Sequence, residues 1–150
     1  MLGLIPLKAK VGVGGSVTIR QAGLIEALAT RANRVVHHWL PDVSPKDWLL
    51  YMMEAHNSDV FLCGSNAITE DGKLLNVDST GNRVASMIFG PRKVIVVAGK
   101  NKIVKDVDEG FKRLRSVAVP STLNVIRSWN FPASKQECAQ TATLRKGFAV

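Results

Sequence analysis

Gly12, Gly14 and Gly15 stand within four positions, after the apolar run "KAKVGV" and before a helix-like pattern that opens near Ser16. A glycine-rich turn from a strand into a helix gathers N–H groups at the positive end of the helix dipole, where a phosphate or carboxylate can be held. Ser16 and Thr18 would add hydroxyl donors. No Gly-Lys-Ser/Thr follows, so the loop is not of the Walker type, and Val17 stands where a dinucleotide fingerprint needs its third glycine. A tight strand-to-helix turn with no ligand is the competing reading.

Two further polar groups follow apolar runs in the same way. One holds Ser65, Asn66, Asn76, Asp78, Asn82 and Arg83; the other is Lys100-Asn101-Lys102. In open α/β sheets ligands sit beyond the carboxyl ends of the strands, so these groups and the glycine loop are the expected ligand-binding set. Arg83 can clamp a carboxylate with two parallel hydrogen bonds; an ion pair with Asp78 or Glu70 would use it equally well. Glu70 is the candidate catalytic acid or base, against the plainer reading of a solvated hairpin residue beside Asp71. Asp78 and the asparagines have turn-forming alternatives.

The elements that must position these residues alternate. "KAKVGV", "RVVHHWL" and "DVFLCG" read as strands, and "KVIVVAG" as a central one because it is the most β-branched run. Helices are predicted from Ser16 or Thr18 to near Thr30, from Ser44 or Asp47 with Trp48, Leu49, Met52 and Met53 inward, over "GNRVASMIF", and from Asp106 or Asp108 to Pro120. Asp71-Gly72 predicts a tight hairpin turn inserted after the third strand. The sum is an α/β fold: a Rossmann-like, mostly parallel sheet with helices on both faces and an inserted β-hairpin.

Composition narrows the function classes. The 150 residues, 46% hydrophobic, suit one domain with a real core. No apolar run is long enough for a membrane span and the start lacks a secretory pattern, so a cytoplasmic protein is expected. Cys63 and Cys138 have no metal-ligand spacing, and no metal site is predicted. The net charge of +8 is scattered, with Tyr51 the only tyrosine, which disfavours nucleic acid and suits a small anionic ligand. His37 and His38, consecutive in a predicted strand, would face opposite sides.

"VGVGGSVTIRQAGLIEAL", "GSNAITEDGKLLNVDSTGNRVASMIFGPRKVIVVAGKNKIV" and "DVDEGFKRLRSVAVP" resemble the LUD domain, the lactate-utilisation family, over about Val11 to Pro120. The resemblance implies the fold of glucosamine-6-phosphate deaminase, ribose-5-phosphate isomerase and CoA transferases, whose corresponding loop holds a phosphate or acyl group. It also implies a place in oxidation of lactate to pyruvate beside iron–sulfur oxidoreductase subunits. Two readings follow: a domain binding a small anionic metabolite or cofactor, or a non-catalytic scaffold subunit of such a complex. The cofactor is unspecified, and a homodimer is a further expectation, because a small α/β domain with exposed Trp and Met often associates. Residues 1–150 are expected to form a single domain without the N-terminal segment and C-terminal cysteines of longer relatives; Pro132-Ala133 stands where a Pro-Cys pair would be.

Overall fold

A computed structural model describes residues 1–39 and 44–121. Its contacts divide the chain into two units, Met1–Gly64 with Asn82–Ala98, and Ser65–Gly81 with Gly99–Val150.

The first unit is built on a parallel four-stranded sheet of order β2-β1-β3-β6, from β1 (Lys10–Val13), β2 (Arg34–Val36), β3 (Val60–Cys63) and β6 (Lys93–Val96). Parallel neighbours need crossovers, and helices supply them: α1 (Val17–Gln21) and α2 (Leu24–Thr30) lead to β2, α3 (Pro45–His56) to β3, and α4 (Asn82–Ile88) precedes β6. Side chains alternate across the sheet. Val11, Val13, Val60 and Leu62 therefore pack with Leu24 and Leu28 of α2, while Phe61, Cys63 and Val36 pack with Ala55 of α3 and Met87 of α4. Helices thus cover both faces, as the alternating sequence predicted. The first step away from β1 and the later steps run in opposite directions along the sheet and use opposite faces, as right-handed crossovers require.

Local chemistry sets the element ends. Ser16 caps α1 by accepting the Ile19 amide at 3.3 Å, and Ser44 caps α3 by accepting that of Asp47 at 3.3 Å while its own hydroxyl donates to the Asp47 carboxylate. The helix predicted to run unbroken to Thr30 is instead two, because Gly23 adopts φ +63° between them. In α3 the buried side is Met52 and Ala55; Leu49 and Met53 are exposed, against the expectation that they face inward. β2 stops at Val36, so neither His37 nor His38 is a strand residue. β6, expected at the centre, stands at an edge among the described residues and is half-buried.

The second unit is a three-stranded sheet of order β5-β4-β7, in which β4 (Ala67–Thr69) pairs antiparallel with β5 (Leu74–Leu75) and parallel with β7 (Ile103–Val104). Asp71 and Gly72 turn the chain between β4 and β5, with Gly72 at φ +90° and its amide donating to the Thr69 carbonyl. α5 (Val107–Arg113), capped by Asp106, brings a glycine against the sheet: a methyl group at Gly110 would lie 2.8 Å from Leu75. The backbone stays helical through Ser121, beyond the predicted stop at Pro120, with π spacing over Leu114–Ala118. Leu114 joins Ala67, Leu75 and Val104 in this unit's core. Among the described residues no helix is long and apolar enough to cross a membrane. Cys138 and the Pro132-Ala133 pair lie outside the described residues.

Candidate functional site

In the first unit the strand order reverses between β1 and β3, because the chain leaves β1 toward β2 and leaves β3 toward β6. Such a switch point opens a crevice at the carboxyl ends of the two strands. The β1 end there is Gly14-Gly15-Ser16. The β3 end is Gly64, whose carbonyl accepts from Arg83 Nη1 at 3.2 Å. Arg83 enters from the first turn of α4 and is buried. The sheet itself thus places the glycine loop and a guanidinium at adjacent strand ends.

The glycines are not alike. A methyl group at Gly12 would lie 2.1 Å from the Ala55 carbonyl oxygen and 2.7 Å from Ser58 Oγ, so Gly12 lets α3 pack directly on β1. At Gly14 it would lie 3.2 Å from Phe61, and the Gly14 amide donates to the Leu62 carbonyl at 2.9 Å. What approaches those two backbones is the protein itself. Gly15 differs: it is exposed, and a methyl group there would meet Trp39 at 3.4 Å and His38 Nε2 at 3.6 Å, ordinary contact distances. Ser16 is buried and committed to its cap, while Thr18 is half-buried in the first turn of α1. Ser16→Ala is expected to cost about 1 kcal/mol by orphaning the Ile19 amide; urea unfolding of the two proteins side by side measures it.

The residues beside Gly15 carry a signal that the sequence reading left aside. His37 Nδ1 accepts the Trp39 amide at 3.3 Å, His38 Nε2 accepts the Trp39 indole N–H at 2.8 Å, and the Arg20 guanidinium lies 4.7 Å above the Trp39 ring. Trp48 meets the His38 ring edge-on at 5.1 Å. Burial, with His37 alongside, pushes the His38 imidazole down to about 4, so the ring is neutral near pH 7. With Nε2 accepting, the proton belongs on Nδ1, and that buried N–H has no hydrogen-bond partner among the described residues. An unmatched buried donor costs about 1–3 kcal/mol. Consecutive histidines ahead of a tryptophan were the visible clue; reading them as strand residues hid it.

Most of the other predicted residues belong to the second unit, where Asn66 and Asn76 bond to each other and the rest mainly serve the local backbone. Ser65 is fully buried and donates to the Ala67 and Leu75 carbonyls. The Asn66 amide N–H donates to Asn76 Oδ1 at 3.2 Å, Asn66 Oδ1 accepts from the Val77 amide at 2.9 Å, and the Asn66 carbonyl accepts from Arg113. The two asparagines therefore brace the β4–β5 segment. Glu70 is exposed, and its amide donates to the Val104 carbonyl. Its neighbour Asp71 bonds Lys73 and Thr69, and those hydrogen bonds hold its carboxyl below the usual range. Asp78 is half-buried. Lys100 is exposed, and Lys102, half-buried, closes a 3₁₀ turn through its amide to the Gly99 carbonyl. Asn82, in the first unit, opens α4 and accepts from Ser86 Oγ at 2.8 Å through its carbonyl. Among the described residues no group of three or more metal-ligating side chains gathers.

In comparison with known proteins, the family model described as the LUD domain matches residues 1–147. No curated protein and no solved structure matches. The parallel sheet with helices on both faces agrees with the superfamily implied by the sequence motifs. A family model spanning nearly all of the 150 residues leaves a plain conclusion: this chain belongs to the LUD domain family, whose general setting is lactate utilisation.

Proposed function

We propose that this LUD domain binds a small anionic metabolite or cofactor at the Gly14-Gly15-Ser16 loop and in that way supports oxidation of lactate to pyruvate. The observation that carries the reading is topological. The glycine loop falls at the switch point of the parallel sheet, with Arg83 at the neighbouring strand end. Gly15 offers an exposed backbone there, and Arg20 and Arg83 add positive charge that suits a carboxylate or phosphate. The first helical turn alone is too short to supply a strong dipole, since α1 has five residues; the guanidinium groups supply the attraction.

Thermal unfolding of the full chain with lactate, pyruvate, sugar phosphates, nucleotides and CoA esters tests this. A ligand at a hundred times its Kd stabilises by about 2.7 kcal/mol, and Gly15→Val is expected to remove that gain while the protein still melts cooperatively. A melting curve that no anion moves sinks the reading. The second reading, a non-catalytic subunit of an iron–sulfur oxidoreductase, is favoured by one observation: Leu49, Leu50 and Met53 of α3, with Ile88 and Phe89 at the end of α4, all lie exposed.

A further inference from the structure

We propose that the open edge of β6 pairs with β6 of a second copy of this chain, joining the two parallel sheets into one continuous sheet across a two-fold axis. The edge is defined by its hydrogen bonds. The Lys93 amide donates to the Asp59 carbonyl at 3.2 Å and the Val97 amide to that of Cys63 at 2.8 Å, so Lys93, Ile95 and Val97 turn their amides toward β3. Val94 and Val96 alternate with them and turn N–H and C=O the other way. Among the described residues no strand lies on that side, and neither outward peptide group has a partner. The run Val94-Ile95-Val96-Val97 carries no charge and no proline, two of the devices that keep a sheet edge from pairing. The opposite edge differs, because β2 has three residues and opens on Arg34, which is ion-paired with Glu54.

The edge is complementary to itself, which selects a second copy as its occupant. In an antiparallel pair centred on Ile95, Val94 of one chain stands opposite Val96 of the other, and every outward N–H meets an outward C=O. The same register sets Lys93 opposite Val97, so no like charges are opposed although each chain carries +8. Apolar surface flanks the edge. Val94 and Val96 share a cluster with Met87 of α4, and the next residues along that helix, Ile88 and Phe89, are 74% and 79% exposed. Ile95 packs on the other face; there Lys93 Nζ donates to the Leu4 carbonyl at 3.1 Å, and Leu4 is itself exposed. A strand of four residues makes few bonds, so these side chains supply the apolar area that a stable dimer needs. Antiparallel pairing sends the carboxyl ends of the two sets of strands in opposite directions, and each copy keeps its own glycine loop open. The inference is therefore independent of what that loop binds.

Light scattering of the full chain gives the mass, and amide hydrogen exchange followed by NMR at the same concentration reads the edge. The expected mass is near twice the 16.3 kDa of one chain. The Val94 and Val96 amides should then exchange at least about ten times more slowly than unpaired edge amides. Val96→Pro removes one outward N–H from each chain and leaves the bonds to β3, a place where an edge strand tolerates proline. It should raise the dimer dissociation constant about tenfold or more while the protein still melts cooperatively. Should that variant fail to melt cooperatively, the exchange rates of the unsubstituted chain decide alone. A monomer mass overturns the proposal, and slow exchange at Val94 and Val96 in that monomer would mean that the same chain covers its own edge. A dimer in which both amides exchange freely, or one whose affinity a folded Val96→Pro leaves unchanged, overturns it as well, because the copies then meet elsewhere.

Discussion

Gly12→Ala should lower stability by at least about 3 kcal/mol, at the upper end of the cost of overpacking a core. The added methyl group would stand 2.1 Å from the carbonyl oxygen of Ala55 and 2.8 Å from its carbon. Both atoms are backbone, so no rotamer change relieves the clash; α3 must move away from β1, loosening Val36, Phe61 and Cys63 beneath it. Gly15→Ala, three positions on, meets only side chains at 3.4 Å or more and should change stability by about 0.5 kcal/mol or less. Urea unfolding of the pair decides the matter. Equal midpoints would mean that α3 does not rest on Gly12 as described.

The second large effect is expected in acid. His38 is neutral in the folded protein down to about pH 4 but takes up its proton near its ordinary 6.5 when unfolded. Between those values the unfolded chain binds more protons, so stability falls as pH falls. His38 contributes fully above 6.5, and about 3 kcal/mol is lost by the time the pH nears 4. His37 adds a slope of the same sign, since burial and Arg20 push it down against the opposing pull of Glu26. Asp71 acts lower, because a depressed carboxylate loses its contribution only as the pH drops through the ordinary 3.8 and below. Unfolding free energies measured from pH 7 to 4 should therefore slope strongly in the unsubstituted chain and much less in His38→Phe. An unchanged slope in the variant would show that His38 is not the group responsible.

The sequence was most legible where a single period or cap decides the outcome. Strands β1 and β3 are short apolar runs buried on both faces, and Ser16, Ser44 and Asp106 are caps whose side chains accept the amides of Ile19, Asp47 and Glu109. It was less legible where tertiary geometry overrides pattern. Leu49 and Met53 look inward by composition, yet the twelve-residue α3 turns Met52 and Ala55 to the sheet because Ala55 must sit against Gly12. β6 has the strongest β-branched character but an edge place among the described strands, since chain order does not reveal strand order. At the candidate site the glycines were conspicuous, but their reasons were mixed: two are demanded by helix and ring packing and one is exposed. His38 was hidden because its burial against Trp39 and Trp48 comes from tertiary packing and not from strand alternation.

The polypeptide passes between its two units three times, at Gly64–Ser65, Gly81–Asn82 and Ala98–Gly99. Synthesis from the N-terminus therefore delivers β1, β2 and β3 long before β6 can dock beside β3, and no two neighbouring strands of that sheet can zip together through a tight turn. A nascent chain arrested at Gly64 holds an open, three-stranded fragment with the flank of β3 bare, and the short β4–β5 pair likewise waits for β7 and α5 to complete its core. Maturation of the sheet should thus be gated by release of the segment through Val96, and fragments severed at any of the three passages should fail to regain cooperative unfolding when purified alone.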